Sequence, residues 1–118
     1  MNAIRGTPDW NPCEDGLHVG EEGTEGGYVL LDEEHLNGAR ITLEERAKVA
    51  PYAITCGIFG WVAHTCFAST REEADILYDA MKRGLEGILQ IIPSEDDPAR
   101  EKKTGLVNRA IEHFVAHF

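Results

Sequence analysis

Tyr52-Ala-Ile-Thr-Cys-Gly-Ile-Phe-Gly-Trp-Val-Ala-His-Thr-Cys-Phe67 is the stretch on which the fold of this chain turns. It is rich in β-branched and aromatic residues, which suit a pleated, partly buried surface. One extended strand over residues 52–68 would reach about 56 Å at 3.3 Å per residue, too far for a small domain. Two strands joined at Gly60-Trp61 fit better, because glycine in the first turn position suits a tight II′ hairpin. That register places Ile54, Cys56, Ile58, Ala63, Thr65 and Phe67 on one face. The other face carries Ala53, Thr55, Gly57, Phe59, Val62, His64, Cys66 and Ala68. Neither side reads as solvated, so both are expected to need cover. The competing arrangement is a long strand bent at bulges by Gly57 and Gly60, crossing into a second subunit.

Downstream, Thr70-Arg-Glu-Glu73 fits a capping box, in which a hydroxyl and a carboxylate satisfy the orphan amides of a helix start. Pro93 stops that helix. At 100° per residue Ala74, Leu77, Met81, Leu85, Ile88 and Ile92 fall within an arc of about 80°. A second stripe, Ile76, Ala80, Gly84, Gly87 and Ile91, is small enough for another helix to approach closely. Glu72, Asp75, Asp79, Lys82, Arg83, Glu86 and Gln90 take the remaining, solvent-directed face. Pro98 suits the first position of a last helix with Asp97 as its cap. Val107, Ala110, Ile111, Phe114 and Phe118 align along it, and this helix is the natural occupant of the glycine-lined stripe, within the chain or from a neighbour.

Upstream, Tyr28–Leu31 and Ala39–Glu45 read as strands around Asn37-Gly38, a strong hairpin signal. A two-residue loop would set Glu34 opposite Ile41 and Asp32 opposite Leu43, mixing acids into an apolar face. A loop from Asp32 to Gly38, or an exposed edge hairpin blunted by charge, are the alternatives. Asp32-Glu33-Glu34-His35 lacks the spacing of a calcium loop and reads as a solvated turn. Residues 1–27 form an extended N-terminal arm rich in glycine, proline and acid, with Trp10 as a ring able to dock on the body or a partner. Residues 28–118 are a single α+β domain: an antiparallel sheet of three to four strands followed by two helices packed on one face.

At 118 residues the chain is one domain. The formal charge is −10, unevenly distributed: residues 1–50 hold 4 basic against 11 acidic side chains, and residues 51–118 hold 7 against 10. An acidic field repels phosphate backbones and anionic lipid, so no nucleic-acid or membrane partner is expected. Met1–Arg5 lacks the apolar core of a secretion signal, and the three cysteines, Cys13, Cys56 and Cys66, form no Cys-x-x-Cys pair. A reduced, cytoplasmic protein is expected.

No motif names a reaction, and whether the chain is an enzyme stays open. No cofactor is expected: Gly57-x-x-Gly60 lacks the lysine and the strand-then-helix setting of a phosphate loop. His113 and His117, four apart on a helix, can share a metal ion if a third ligand joins them. His64, on an otherwise apolar sheet face opposite Gly57, has to find a partner or a lowered pKa. With Thr55, Phe59, Trp61 and Cys66 it outlines a pocket for a small-molecule ligand. The first functional expectation is a small self-associating domain, a homodimer serving as an interaction or regulatory module. A small-molecule-binding domain or enzyme using the His64 pocket is the alternative, and a metal protein using His113 and His117 is the third.

Overall fold

The computed structural model describes residues 9–118; residues 1–8 of the expected N-terminal arm lie outside them. Five strands run in chain order across one antiparallel sheet: β1 (Trp10–Pro12), β2 (Tyr28–His35), β3 (Ala39–Glu45), β4 (Tyr52–Ile58) and β5 (Val62–Ala68). Helices α1 (Arg71–Ile91) and α2 (Arg100–His117) follow. The α+β class and the strands-then-helices order hold, but the sheet has five strands, not three to four. The added one is β1, three residues pairing Trp10 with His35 and Pro12 with Glu33, too short to show a period of two. Among the described residues no helix is long and apolar enough to cross a membrane.

The β4–β5 register differs from the expected one by a single residue. Ile58, not Phe59, pairs with Val62, and the turn is Phe59-Gly60-Trp61. The Trp61 amide donates to the Ile58 carbonyl at 2.9 Å, and Gly60 takes φ +82° at the second central position of the turn, a conformation that glycine adopts without steric cost. Side chains alternate with a period of two, so one residue of slip changes the face of the entire second strand. Ile54, Cys56, Ile58, Val62, His64, Cys66 and Ala68 therefore share the face under the helices. Ala53, Thr55, Gly57, Ala63, Thr65 and Phe67 share the other. The shorter turn would make the sheet apolar on both sides; in the observed register the outer side of β4 and β5 carries Thr55, Thr65, Gly57 and Ala63, with Phe67 its one large apolar side chain.

The β2–β3 hairpin shows the same shift. Its turn is Leu36-Asn37-Gly38, with Gly38 at φ +103° and its amide bonded to the His35 carbonyl at 3.0 Å. Glu33 pairs with Ile41 and Asp32 with Thr42, and a bulge separates Val29 from Leu31. Asp32-Glu33-Glu34-His35 is thus strand rather than solvated turn, and Asp32, Glu33 and His35 are buried. Each buried acid has found a partner on its own side of the sheet.

Helix α1 lies on the inner face, burying Ala74, Tyr78, Met81, Leu85 and Ile88 against Ile41, Leu43, Ile54 and Cys56. The Thr70 hydroxyl accepts the Glu73 amide at 3.1 Å, while the Glu73 carboxylate accepts the Ser69 amide at 2.8 Å. Lys82, expected on the solvent side, is buried. Helix α2 begins at Arg100, two residues later than expected, because Asp97 caps a preceding turn through the Ala99 amide at 2.8 Å. Its Phe114 fills the notch over Gly84, where a Cβ would come within 2.8 Å of the ring. The glycine-lined stripe is thus occupied from within the chain at Gly84, while Gly87 has no atom within 4 Å of its Cβ position.

Phe114→Ala is expected to cost about 3–5 kcal/mol in urea unfolding. Gly84→Leu, which places a side chain where that ring sits, is expected to remove hydrogen-exchange protection from the amides of α2 while those of β3 and β4 keep theirs.

Candidate binding face

The outer face of the sheet is built by alternation: Asp32 and Glu34 from β2, Arg40, Thr42 and Glu44 from β3, Thr55 and Gly57 from β4, Thr65 and Phe67 from β5. Residues 17–27 return beside it as a wall. The Gly20 amide donates to the Val29 carbonyl at 2.8 Å and the Val29 amide to the Glu21 carbonyl at 2.9 Å. Between this wall and the sheet lies an open groove of about 710 Å³, with Val29, Arg40, Thr42, Thr55 and Phe59 in its lining. That volume is within the range of ligand-binding clefts.

Two buried carboxylates shape the groove. Asp32, its side chain shut off from solvent, accepts from Arg40 Nε at 2.9 Å, Arg40 Nη2 at 2.8 Å and the Thr42 hydroxyl at 3.1 Å. The hydrogen bonds to Asp32 raise the Arg40 pKa further, and the guanidinium, half in solvent, stands fixed in its fork. Glu44 is answered by backbone: its carboxylate accepts the Glu25 amide at 3.2 Å and the Gly27 amide at 3.0 Å. A Cβ at Gly23 would overlap that carboxylate, so any side chain here would push Glu44 off the amides it accepts from. Glu44 thereby ties the wall to the sheet.

The rim is acidic. Glu14, Glu21, Glu22 and Glu34 are exposed around the groove's wall and β2. His18 sits 2.9 Å from Glu21 and 3.3 Å from Glu14, and the Glu21 hydrogen bond raises its pKa, favouring the imidazolium.

The thiols are not poised for reaction. Burial pushes Cys56 from its ordinary 9.0 up to about 12. Burial also raises Cys66, and Cys13 is raised by burial and then by Asp32. All three stay protonated at neutral pH, the inert state of a buried cysteine.

Of the residues expected to form one pocket, Thr55 and Phe59 line this groove, and the Thr55 hydroxyl lies 3.3 Å from that of Thr65. His64 and Cys66 point the other way, beneath the helices. His64 pairs with Cys56, not Gly57, and its ring meets Phe114 edge-on at 6.2 Å. Its Nε2 is buried without a hydrogen-bond partner. Trp61 lies under the Arg100 guanidinium at 5.9 Å. The sheet itself separates these residues, so Thr55, Phe59, Trp61, His64 and Cys66 do not converge. His113 and His117 do share a shallow groove between the helices, beside Gly87 and Phe118. Among the described residues no three His, Cys, Asp or Glu side chains are grouped to hold a metal ion. Asp32, Arg40, Thr42 and Glu44 escaped the sequence reading, although Arg40-Ile-Thr-Leu-Glu44 displays the strand alternation that marks them.

A second polar cluster lies inside. Glu33 accepts the Tyr78 hydroxyl at 2.7 Å and Lys82 Nζ at 3.0 Å. Lys82 stands 5.1 Å from the centre of the Trp10 ring, whose Nε1 donates to Glu86 at 2.9 Å. This cluster ties β1 and β2 to α1, with Glu33, Tyr78 and Lys82 buried and Glu86 partly exposed.

No protein-family model and no solved structure matches the chain. Over 100 residues, 84% of its length, it is 30% identical to a 4-hydroxy-tetrahydrodipicolinate synthase from Acidovorax sp. (strain JS42). The chain spans 30% of that protein's length.

Asp32→Ala leaves the Arg40 guanidinium and the Thr42 hydroxyl without their shared acceptor, and about 1–3 kcal/mol of stability is expected to go with it, measured by urea unfolding. The raised Cys56 thiol carries a sign. Above pH 9 an unfolded chain releases this proton while the folded chain keeps it up to about pH 12. The thiol's contribution is complete below pH 9 and falls above it by about 1.4 kcal/mol per pH unit. Unfolding free energies measured from pH 8 to pH 11 should decline less steeply in Cys56→Ala than in the parent chain.

Proposed function

We propose that the chain is a non-catalytic interaction module that receives a positively charged partner on the outer face of its sheet. The observation that carries this reading is the open groove on that face, with an acidic rim and a lining cation, Arg40, already engaged by Asp32. Acidic side chains gathered around a concave surface concentrate field lines and speed encounter with positive charge, and the two lining cations, Arg40 and His18, are each held by carboxylates. The excess of acidic side chains in residues 1–50, which supply the wall, β2 and β3, supports the same direction.

Binding is favoured over catalysis by the state of the groups at hand. The Thr42 hydroxyl donates to Asp32, and those of Thr55 and Thr65 are within reach of each other. An activated nucleophile needs an adjacent base or a depressed pKa, and the three thiols have the reverse. The stretch shared with the Acidovorax synthase favours a second reading, a role in that enzyme's chemistry, but it amounts to 30% of that protein. An assay of synthase activity on the purified chain separates the two readings, and turnover would overturn the binding module.

Titration of the isotope-labelled chain with a lysine-rich peptide is expected to shift the amide resonances of Glu22, Thr42, Thr55 and Gly57. Added salt should weaken this binding, and Glu21→Lys with Glu22→Lys should weaken it about tenfold. Shifts confined to α1 and α2, or binding indifferent to salt, would refute the proposal.

A further inference from the structure

The two edges of the sheet are not alike. The β1 edge is guarded: it is three residues long and contains Pro12, two of the devices by which proteins prevent edge-to-edge pairing. The β5 edge has neither. Val62–Ala68 is seven residues long, pairs with β4 in unbroken register, and carries no proline, lysine, arginine or carboxylate. Among the described residues no strand lies beyond it and no backbone group of another element bonds to its outer side. The outward amides and carbonyls of β5 therefore make no backbone hydrogen bond, and of them only the Phe67 carbonyl is approached by a side chain, the Cys66 Sγ at 4.0 Å. On a chain of net charge −10, whose copies carry charge of the same sign, this uncharged strip is an edge along which two copies can approach without repulsion from its own side chains.

We infer that β5 pairs antiparallel with β5 of a second copy of this chain, around a two-fold axis at Thr65, joining two sheets into one. An antiparallel edge is its own complement under such an axis, since each outward amide meets an outward carbonyl. The side chains fit the same register. On the outer face the axis sets Phe67, 41% exposed, beside the small, exposed Ala63 of the second copy. A bulky ring facing a methyl group is a favourable cross-strand neighbour on both sides of the dyad. Toward the helices it sets Val62 beside Ala68 and His64 beside Cys66, again without a charge. Val62 is the one interface residue that also lines the groove, and the substitutions at the axis leave it unchanged, so the dimer is tested apart from the binding module.

The test uses charge at the axis. Thr65→Lys sets lysine against lysine in the pair, and Thr65→Glu sets glutamate against glutamate, both unfavourable directly across strands. In sedimentation equilibrium the parent chain is expected to form dimers, and each variant alone to dissociate at least about tenfold more readily. Mixing the two variants should restore dimers, because each interface then holds one lysine and one glutamate. Circular dichroism establishes that both variants fold. If either does not, Ala63→Lys, at an exposed position, replaces it and should weaken the dimer by a similar factor. A parent chain that stays monomeric to millimolar concentration would overturn the proposal. So would dimers indifferent to every substitution, or no recovery on mixing folded Thr65→Lys and Thr65→Glu.

Discussion

The pairing of Ile58 with Val62 across a three-residue turn governs what every other part of this molecule does. It requires a residue at positive φ in the second turn position, and Gly60 supplies it. The resulting register collects Ile54, Cys56, Ile58, Val62, Cys66 and Ala68 on one side, where α1 covers them. It leaves Thr55, Thr65, Ala63 and Gly57 on the other, where they tolerate water. The β2–β3 hairpin also closes with three residues, Leu36-Asn37-Gly38, but there the positive φ falls on the third, Gly38, and the Phe59 amide donates to the Gly38 carbonyl at 3.0 Å, coupling the two turns. A sheet with one dry side and one wet side follows, and with it an open groove.

Burying an ion costs several kcal/mol unless hydrogen bonds replace the lost water. The fold meets this cost at three carboxylates in three ways. Asp32 takes a bidentate guanidinium and a hydroxyl, Glu33 takes an ammonium and a phenol, and Glu44 takes backbone amides alone. Each solution joins separate elements: Asp32 joins β2 to β3, Glu33 joins β2 to α1, and Glu44 joins β3 to the wall of the groove. Removal of one partner strands a charge, so these residues help to fix the strands and the wall in place. His64 is the exception, with a buried nitrogen lacking a hydrogen-bond partner against the Phe114 ring.

Helices were the most legible part of the sequence. Thr70, Glu73 and Pro93 bound α1 through local chemistry, and the small residues of its second stripe announce the seat for α2. Strands were legible as segments but not as partners. Gly60 and Gly38 each fit a two-residue or a three-residue turn, and the choice between them rests on long-range pairing. The polar outer face was hidden by that ambiguity: in the shorter register Asp32 faces Leu43, so its pairing with Arg40 and Thr42 could not be read. Lys82 looked solvated because its partner, Glu33, is 49 residues away.

What local composition and periodicity settled was the class of the molecule: an acidic α+β chain whose strands precede two helices. These features depend on residues within a turn or two of one another, where capping, proline and glycine act directly. Tertiary structure alone chose which side of each strand faces inward, added Trp10–Pro12 as a fifth strand, and separated His64 from Thr55. The reason is that strand side chains alternate every residue, so a single-residue choice at a turn, decided by the total area buried under the helices, reassigns the whole face.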